Sequence, residues 1–281
     1  MMEITLNDIN IRHLKCFNGY DMPKNIVWKR DNKPRSIIIY TDYYITNGIP
    51  YGEGIKIAWL MEPMVMNIEH YNACLEDADK YDYIISHDLA YLNEFPEKKR
   101  VFCPGSGSSL YGYEWKVYDK NKMFLTVVGN KKITVGHNFR YKVVEALGHK
   151  IHVGGRGFNS FPLRKRAEIY APYAFQICIH NNKVEDYWSD ILIDCFATGT
   201  IPIVWGGKFL DKYFDMGGII CFDTVDQLKG IIDRLTMDDY NDMLPSVIYN
   251  KELAFERYRV AEDYLYETFF KQFDESTSDI S

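Results

Sequence analysis

The chain has 281 residues, 47% hydrophobic and 26% charged, the make-up of an ordinary globular protein long enough for two domains with separate cores. Its formal net charge is −6 and its longest basic run lies within Leu163–Arg166, which excludes a broad nucleic-acid surface. No apolar run reaches the roughly 18 residues of a membrane span, and the N-terminus lacks the apolar core of a secretory signal, so a soluble cytoplasmic protein is expected. Six cysteines (Cys16, Cys74, Cys103, Cys178, Cys195 and Cys221) are scattered without a C-x-x-C spacing. They read as small buried hydrophobes in a reducing compartment, neither a disulfide frame nor a zinc site.

In the first half, Ser36–Tyr40, Ile55–Leu60, Tyr83–Ser86 and Arg100–Cys103 read as short strands, with a helix over Asn67–Lys80. The stretch from Pro104 to Lys122 is rich in Gly, Ser and charge and reads as an interdomain connection. Beyond it, Met123–Val128 is a strand and Asn138–Leu147 a helix closed by Gly148. Lys150–Val153 is a strand running into Gly154–Gly157, and a helix lies near Leu163–Tyr170. A strand at Ile219–Phe222 and a helix at Val225–Leu235 follow the central unit described next. Strands alternating with helices imply α/β domains with parallel sheets covered on both faces. The domains are placed at 1–118 and 119–250, with a C-terminal helix over 251–273 packing back across the first and a disordered tail over 274–281. No repeat is evident.

The segment from Tyr173 to Gly207 is the most informative. Phe175–Ile179 is a buried strand, His180–Asp186 a polar loop, and Ile201–Trp205 a second buried strand. Between them Trp188, Ile191, Leu192, Cys195 and Phe196 fall at the spacing of a core-facing helical stripe, leaving Tyr187, Asp190 and Asp194 on another face. The crevice where such a strand ends and its helix begins is the usual ligand site of an open α/β sheet, and the helix N-terminus offers free N–H groups to a phosphate. The high content of Tyr (22), Phe (16) and Trp (5) suits the C–H faces of sugars and equally suits a tyrosine-rich core.

These residues resemble the sugar-binding core of the α1,3-fucosyltransferases, in which a Y-K-F-x-L-x-F-E-N strand, a Y-x-T-E-K helix start and a G-x-x-P-I/V-x-W/L-G strand follow one another. The matching residues are Tyr173, Phe175, Ile177, Asn181, Tyr187, Gly199, Pro202, Ile203, Trp205 and Gly206. Upstream, Arg140, Glu145, Ala146, Leu147, Gly154, Gly155 and Gly157 continue the match. The chain departs from the pattern at His180, where the family has glutamate, and at Asp190 and Ile191, where it has glutamate and a diphosphate-binding lysine. The resemblance, to soluble bacterial or large algal virus proteins including exostosin-like ones, implies two Rossmann-like domains of the GT-B type with a cleft between them. It implies an inverting glycosyltransferase that moves a sugar from UDP-xylose or GDP-fucose to a hydroxyl of a glycan acceptor, with no metal cofactor.

By the same resemblance Glu62, just after the Ile55–Leu60 strand and ahead of Pro63, is the candidate base for the acceptor hydroxyl; the bland reading is an exposed loop carboxylate. Arg140 is the phosphate candidate against an ordinary solvated arginine, and Arg156 in its glycine turn is a second. Asn181, Tyr187 and Asp190 match donor-contacting positions. His180 either bonds the donor or is a structural group at a strand end. Trp59, Trp115 and the Tyr43–Tyr44 pair are placed on the acceptor side by position. Asp77-Ala78-Asp79 has the D-x-D form that holds a metal ion in the other large glycosyltransferase fold, but falls in a predicted helix and reads better as a solvated face. The alternatives are therefore a metal-dependent D-x-D transferase and a non-catalytic carbohydrate-binding relative of such an enzyme.

Overall fold

Isoleucine-rich runs such as Ile37–Thr41 are buried along their whole length, and the chain builds two parallel sheets from runs of this kind. The computed structural model describes residues 1–8, 21–31, 33, 35–48, 52–110, 112–156, 158 and 166–275. They fall into two compact units, Met1–Gly107 with Val260–Ser281, and Ser108–Arg259.

The first unit carries β1 (Met2–Asn7), β2 (Ile26–Lys29), β3 (Ile37–Thr41), β4 (Ile55–Leu60), β5 (Tyr83–Ser86) and β6 (Arg100–Phe102) in the order β2-β1-β3-β4-β5-β6. Every pairing is parallel. Side chains alternate between the faces, as the two-residue period of a strand requires. Ile38, Tyr40, Ala58, Leu60 and Ile84 face one cluster with residues of α1 (Tyr43–Asn47), α2 (Ile68–Glu76) and α3 (Leu89–Leu92). Ile37, Ile39, Ile57, Trp59 and Ile85 face another. Burial on both faces explains why these strands read as continuous apolar runs.

The second unit holds β7 (Lys122–Val127), α4 (Val135–Leu147), β8 (His152–Gly154), α5 (Arg166–Tyr170), β9 (Tyr173–Cys178), α6 (Asp190–Thr198), β10 (Ile201–Trp205), β11 (Ile220–Phe222), α7 (Val225–Ile232) and α8 (Met237–Leu253). Its sheet runs β11-β10-β9-β7-β8, again all parallel. Phe175 and Ile177 of β9 and Ile201 and Ile203 of β10 pack with Val143 and Leu147 of α4 and Leu228 of α7.

The chain then returns to the first unit through α9 (Ala261–Leu265), a π-helical turn (Tyr266–Phe270) and α10 (Lys271–Glu275). Ala261, Leu265, Tyr266, Phe269 and Phe270 cover the Ile37–Ile39 face of the first sheet. The return packs as expected, but not as one helix. Val260 is extended (φ −131°, ψ 119°) and buried, which breaks the helix. Residues 251–259 stay with the second unit, where Tyr258 stacks edge-on against Trp188 and Phe214. Asp274 and Glu275 are helical, and the rest of the expected tail lies outside the described residues.

From Ser108 onward the expected connection belongs to the second unit, because its backbone caps the end of α6: Lys116 N–H donates to Ala197 O and Tyr118 N–H to Thr198 O. Lys120 Nζ clamps the same corner, donating to Ala171 O and Thr198 O (both 2.8 Å) and Thr200 Oγ1 (3.0 Å). Among the described residues the cysteines are free and four of the five are buried. Among these residues no helix is long and apolar enough to cross a membrane.

Candidate active site

The carboxyl end of β9 meets the N-termini of α4 and α6, and most of the candidate residues meet there. Gly136, in the first turn of α4, lies so close to the backbone after β9 that an added Cβ would stand 1.9 Å from His180 O. Its N–H donates to Asn181 O (3.1 Å). Thr134 and His137 form a capping box at the same helix start. One turn on, Arg140 sends Nε and Nη2 to Ile179 O (2.8 and 2.5 Å) and Nη2 to Asn181 Oδ1 (3.1 Å). Arg140 is buried, so its fork shapes the end of β9; a solvated arginine is not what the fold contains. Burial pulls its guanidinium below the ordinary value, with Tyr187 and Asp190 pulling the other way.

His180 is 2% exposed. Its Nδ1 accepts from Ser189 N–H (3.1 Å) and lies 3.0 Å from Ser189 Oγ, which puts the ring proton on Nε2. Nε2 is buried and meets no hydrogen-bond partner. Burial, helped by Arg140, pushes the imidazole down to about 3, so it is neutral at physiological pH. Ser189 spends its hydroxyl on His180, and so α6 has no side-chain cap.

Tyr187 and Trp188 precede α6, which begins only at Asp190. The expected helical stripe is corrected accordingly: Trp188 is buried from a loop, between Tyr213, Phe214 and Tyr258. Tyr187 is buried with its ring edge-on to His180. The loop is held at Asp186, a non-glycine residue at φ +61° whose carboxylate accepts from Tyr213 Oη (2.7 Å) and Lys212 Nζ (3.1 Å). Beside it a polar cavity of about 440 Å³ opens between Lys212, Tyr213 and Tyr249.

Asp194 is the main surprise. Placed by periodicity on an open face, it is fully buried. Oδ1 accepts from Ser108 Oγ (2.8 Å) and Ser109 N–H (2.9 Å), and Oδ2 from Ser109 Oγ (2.7 Å). Arg166 Nη1 bonds Asp190 Oδ2 (2.5 Å) and Ser109 Oγ, and lies 3.4 Å from Asp194 Oδ2. Burial, with Asp190 adding to it and Arg166 opposing, raises Asp194 to about 6. Burial also works on Asp190, but Arg166 outweighs it and holds that carboxyl below its usual value. Arg166 and the two serines were not candidates from sequence, because they lie in a basic run and a Gly/Ser stretch that read as solvent-facing.

Residues 117–244 match the profile of the family described as glycosyltransferase family 10 (fucosyltransferase), C-terminal domain. The matched stretch, just under half of the chain, lies within the second unit, which is similar to that domain. The whole fold is similar to an α1,3-fucosyltransferase solved with GDP, at 15% identity over 93% of this chain and 92% of that one, TM-score 0.56. An α1,3-fucosyltransferase with GDP-fucose aligns at 16% identity over 86% and 80%, TM-score 0.53. Sucrose-phosphate synthase from Thermosynechococcus elongatus aligns at 9% identity over 87% and 73%, TM-score 0.57. At these identities the structures establish the GT-B fold, two parallel-sheet α/β units. No curated protein matches the chain.

Within this GT-B fold, similar to that of the α1,3-fucosyltransferases, Arg140, His180, Asn181, Tyr187 and Asp190 gather around the end of β9. Arg156 is exposed on the bend after the edge strand β8. The bend itself requires glycine, since Gly155 sits at φ +108° with its virtual Cβ 2.2 Å from Val128 O; Gly157 lies outside the described residues. Glu62 belongs to the first unit, half-buried just past β4, and its carbonyl accepts from Tyr71 Oη (2.8 Å). Trp59 is removed from the acceptor side by its burial in the core against Trp28. Trp115 packs within the second unit on Phe255, whereas Tyr43 is exposed. Asp77 ends α2 and pairs with Lys80 (2.8 Å), as a solvated face would. No group of three or more metal-ligating side chains is found among the described residues.

Proposed function

We propose that this glycosyltransferase moves a sugar from a nucleotide-sugar donor to a hydroxyl of a glycan acceptor, with inversion at the anomeric carbon and without a metal ion. The observation that carries the reading is the meeting of two helix N-termini, the Arg140 guanidinium and the unpartnered His180 Nε2 at the end of one parallel strand. Helix N-termini and cations at that position offer N–H donors and positive charge to a departing diphosphate. Asn181, Tyr187 and Asp190 supply contacts to the rest of the donor. Glu62 takes the acceptor proton as general base, and with that single base the reaction inverts. Arg156, exposed at its glycine turn, is an additional phosphate contact. GDP-fucose gains support from the structures solved with GDP and GDP-fucose, and UDP-xylose is the competing donor. The cysteines among the described residues, free and mostly buried, support a reducing compartment, the cytoplasm.

Thermal-shift titration with GDP, UDP, GDP-fucose and UDP-xylose, each with and without EDTA, tests this. A ligand that binds only the folded state raises Tm by mass action, about 2.7 kcal/mol of stabilisation at a hundredfold excess over Kd. One nucleotide series should stand out and keep its shift in EDTA; no shift with any of them refutes the reading. Inversion is checked by proton NMR of the first product formed, where a retained anomer rejects it.

A further inference from the structure

We propose that Arg166 is a positioning residue for Asp190, fixing its carboxylate at the start of α6 to accept hydrogen bonds from hydroxyl groups of the bound nucleotide sugar. This rests on the proposed donor site and assigns a role to Arg166, which lies outside it.

The cluster has a closed end and an open end. Asp194 is the closed end: its side chain has no exposure, and Ser108, Ser109 and Arg166 occupy both of its oxygens. Arg166 is the link, 16% exposed, with Nη1 shared by Asp190, Asp194 and Ser109. Asp190 is the open end. Arg166 bonds its Oδ2, yet 24% of the side chain remains exposed, so the carboxylate keeps lone pairs for a ligand. It occupies the first position of α6, beside the end of β9, where the helix dipole favours its charge and where open α/β sheets bind ligands.

A core ion pair would need none of this asymmetry. Asp190 and Asp194 are four residues apart on one helix face, where two carboxylates repel. Without Arg166, Asp190 would take a proton or swing into solvent, and a neutral or swung carboxyl is a poor acceptor. An ionised carboxylate held by Arg166 on one oxygen and still partly exposed suits a vicinal diol, which donates O–H groups to its remaining lone pairs. A nucleotide sugar carries such hydroxyls on its ribose and on its transferred sugar.

The experiment measures Kd by calorimetry for GDP against 2′,3′-dideoxy-GDP, UDP against 2′,3′-dideoxy-UDP, and GDP-fucose and UDP-xylose against their diphosphates. It uses the wild type, Arg166→Met, Arg166→Lys and the double variant Arg166→Met/Asp194→Asn, in which the stranded buried charge is also removed. In the wild type either loss of the ribose hydroxyls or loss of the sugar should weaken binding by roughly 10- to 100-fold, the worth of a hydrogen bond to a charged group. Whichever ratio is large identifies the hydroxyls. The same ratio should collapse to about threefold or less in Arg166→Met and in the double variant, and recover partly in Arg166→Lys. A lowered Tm with the ratio intact makes Arg166 purely structural and overturns the proposal. Two small ratios in a wild type that binds nucleotide also overturn it while leaving the donor site standing. Failure of the wild type to bind any nucleotide removes the donor site and the proposal with it.

Discussion

Replacing Arg140 by methionine keeps an unbranched stem of similar length and removes the fork. Ile179 O then loses two N–H donors, at 2.8 and 2.5 Å, and Asn181 Oδ1 loses one at 3.1 Å. Ile179 is buried and its carbonyl has no route to water, so it bears the cost of an orphaned acceptor plus a charge-assisted bond, roughly 2 to 4 kcal/mol. Asn181 is half-buried and can turn to solvent, adding little. Relief from burying a guanidinium returns part of this, leaving about 2 kcal/mol. For a unit of this size that is a drop in Tm of roughly 4 to 8 °C. Urea unfolding followed by circular dichroism should show a lower midpoint at unchanged slope. Arg140→Lys should recover less than half, since one ammonium cannot reproduce the fork. A loss below about 1 kcal/mol for Arg140→Met, or a lysine variant as stable as wild type, would refute the idea that this arginine builds the end of β9.

Gly136→Val should abolish the nucleotide-dependent Tm shift and lower Tm in its absence. Its Cβ would stand 1.9 Å from His180 O, so α4 must move off β9; an unchanged ligand shift would show that the contact is slack. His180 is depressed from 6.5 to about 3. The stability it contributes is therefore present above pH 6.5 and is lost as pH falls toward 3, roughly 2 kcal/mol of it by pH 5. The difference between wild type and His180→Gln, measured by urea unfolding from pH 7 to 4, should carry that slope, whereas parallel curves would mean the imidazole is solvated. Lys120→Met should cost about 2 to 3 kcal/mol through two stranded carbonyls, Ala171 O and Thr198 O, read as a fall in Tm with Kd for nucleotide unchanged.

The sequence signals that proved readable were those that depend on a short period. β4 and β5 were read to the residue, and β10 likewise, because strands buried on both faces are short apolar runs with turns at each end. β1 and β2 offer no such run, because Glu3, Asn7 and Lys29 are mixed among their apolar residues. Helix α8 escaped because Pro245 sits inside it, and proline reads as a break. Arg140, Asn181 and Asp190 could be named because the motif fixes their positions. Arg166, Ser108, Ser109 and the burial of Asp194 could not, because that cluster forms only when segments more than fifty residues apart in the chain meet.

The order in which the chain is made adds a constraint of its own. All six strands of the first unit precede residue 107, yet the side chains that cover one of its faces, from Ala261 to Phe270, are synthesised after the second unit. At ribosomal rates of about 5 to 20 residues per second that face waits roughly 10 to 30 s for its cover. The second unit is continuous and has no such wait. The part of the molecule begun first is therefore completed last, with Ile37, Ile39, Ile57 and Ile85 open to chaperones or to other nascent chains in the interval.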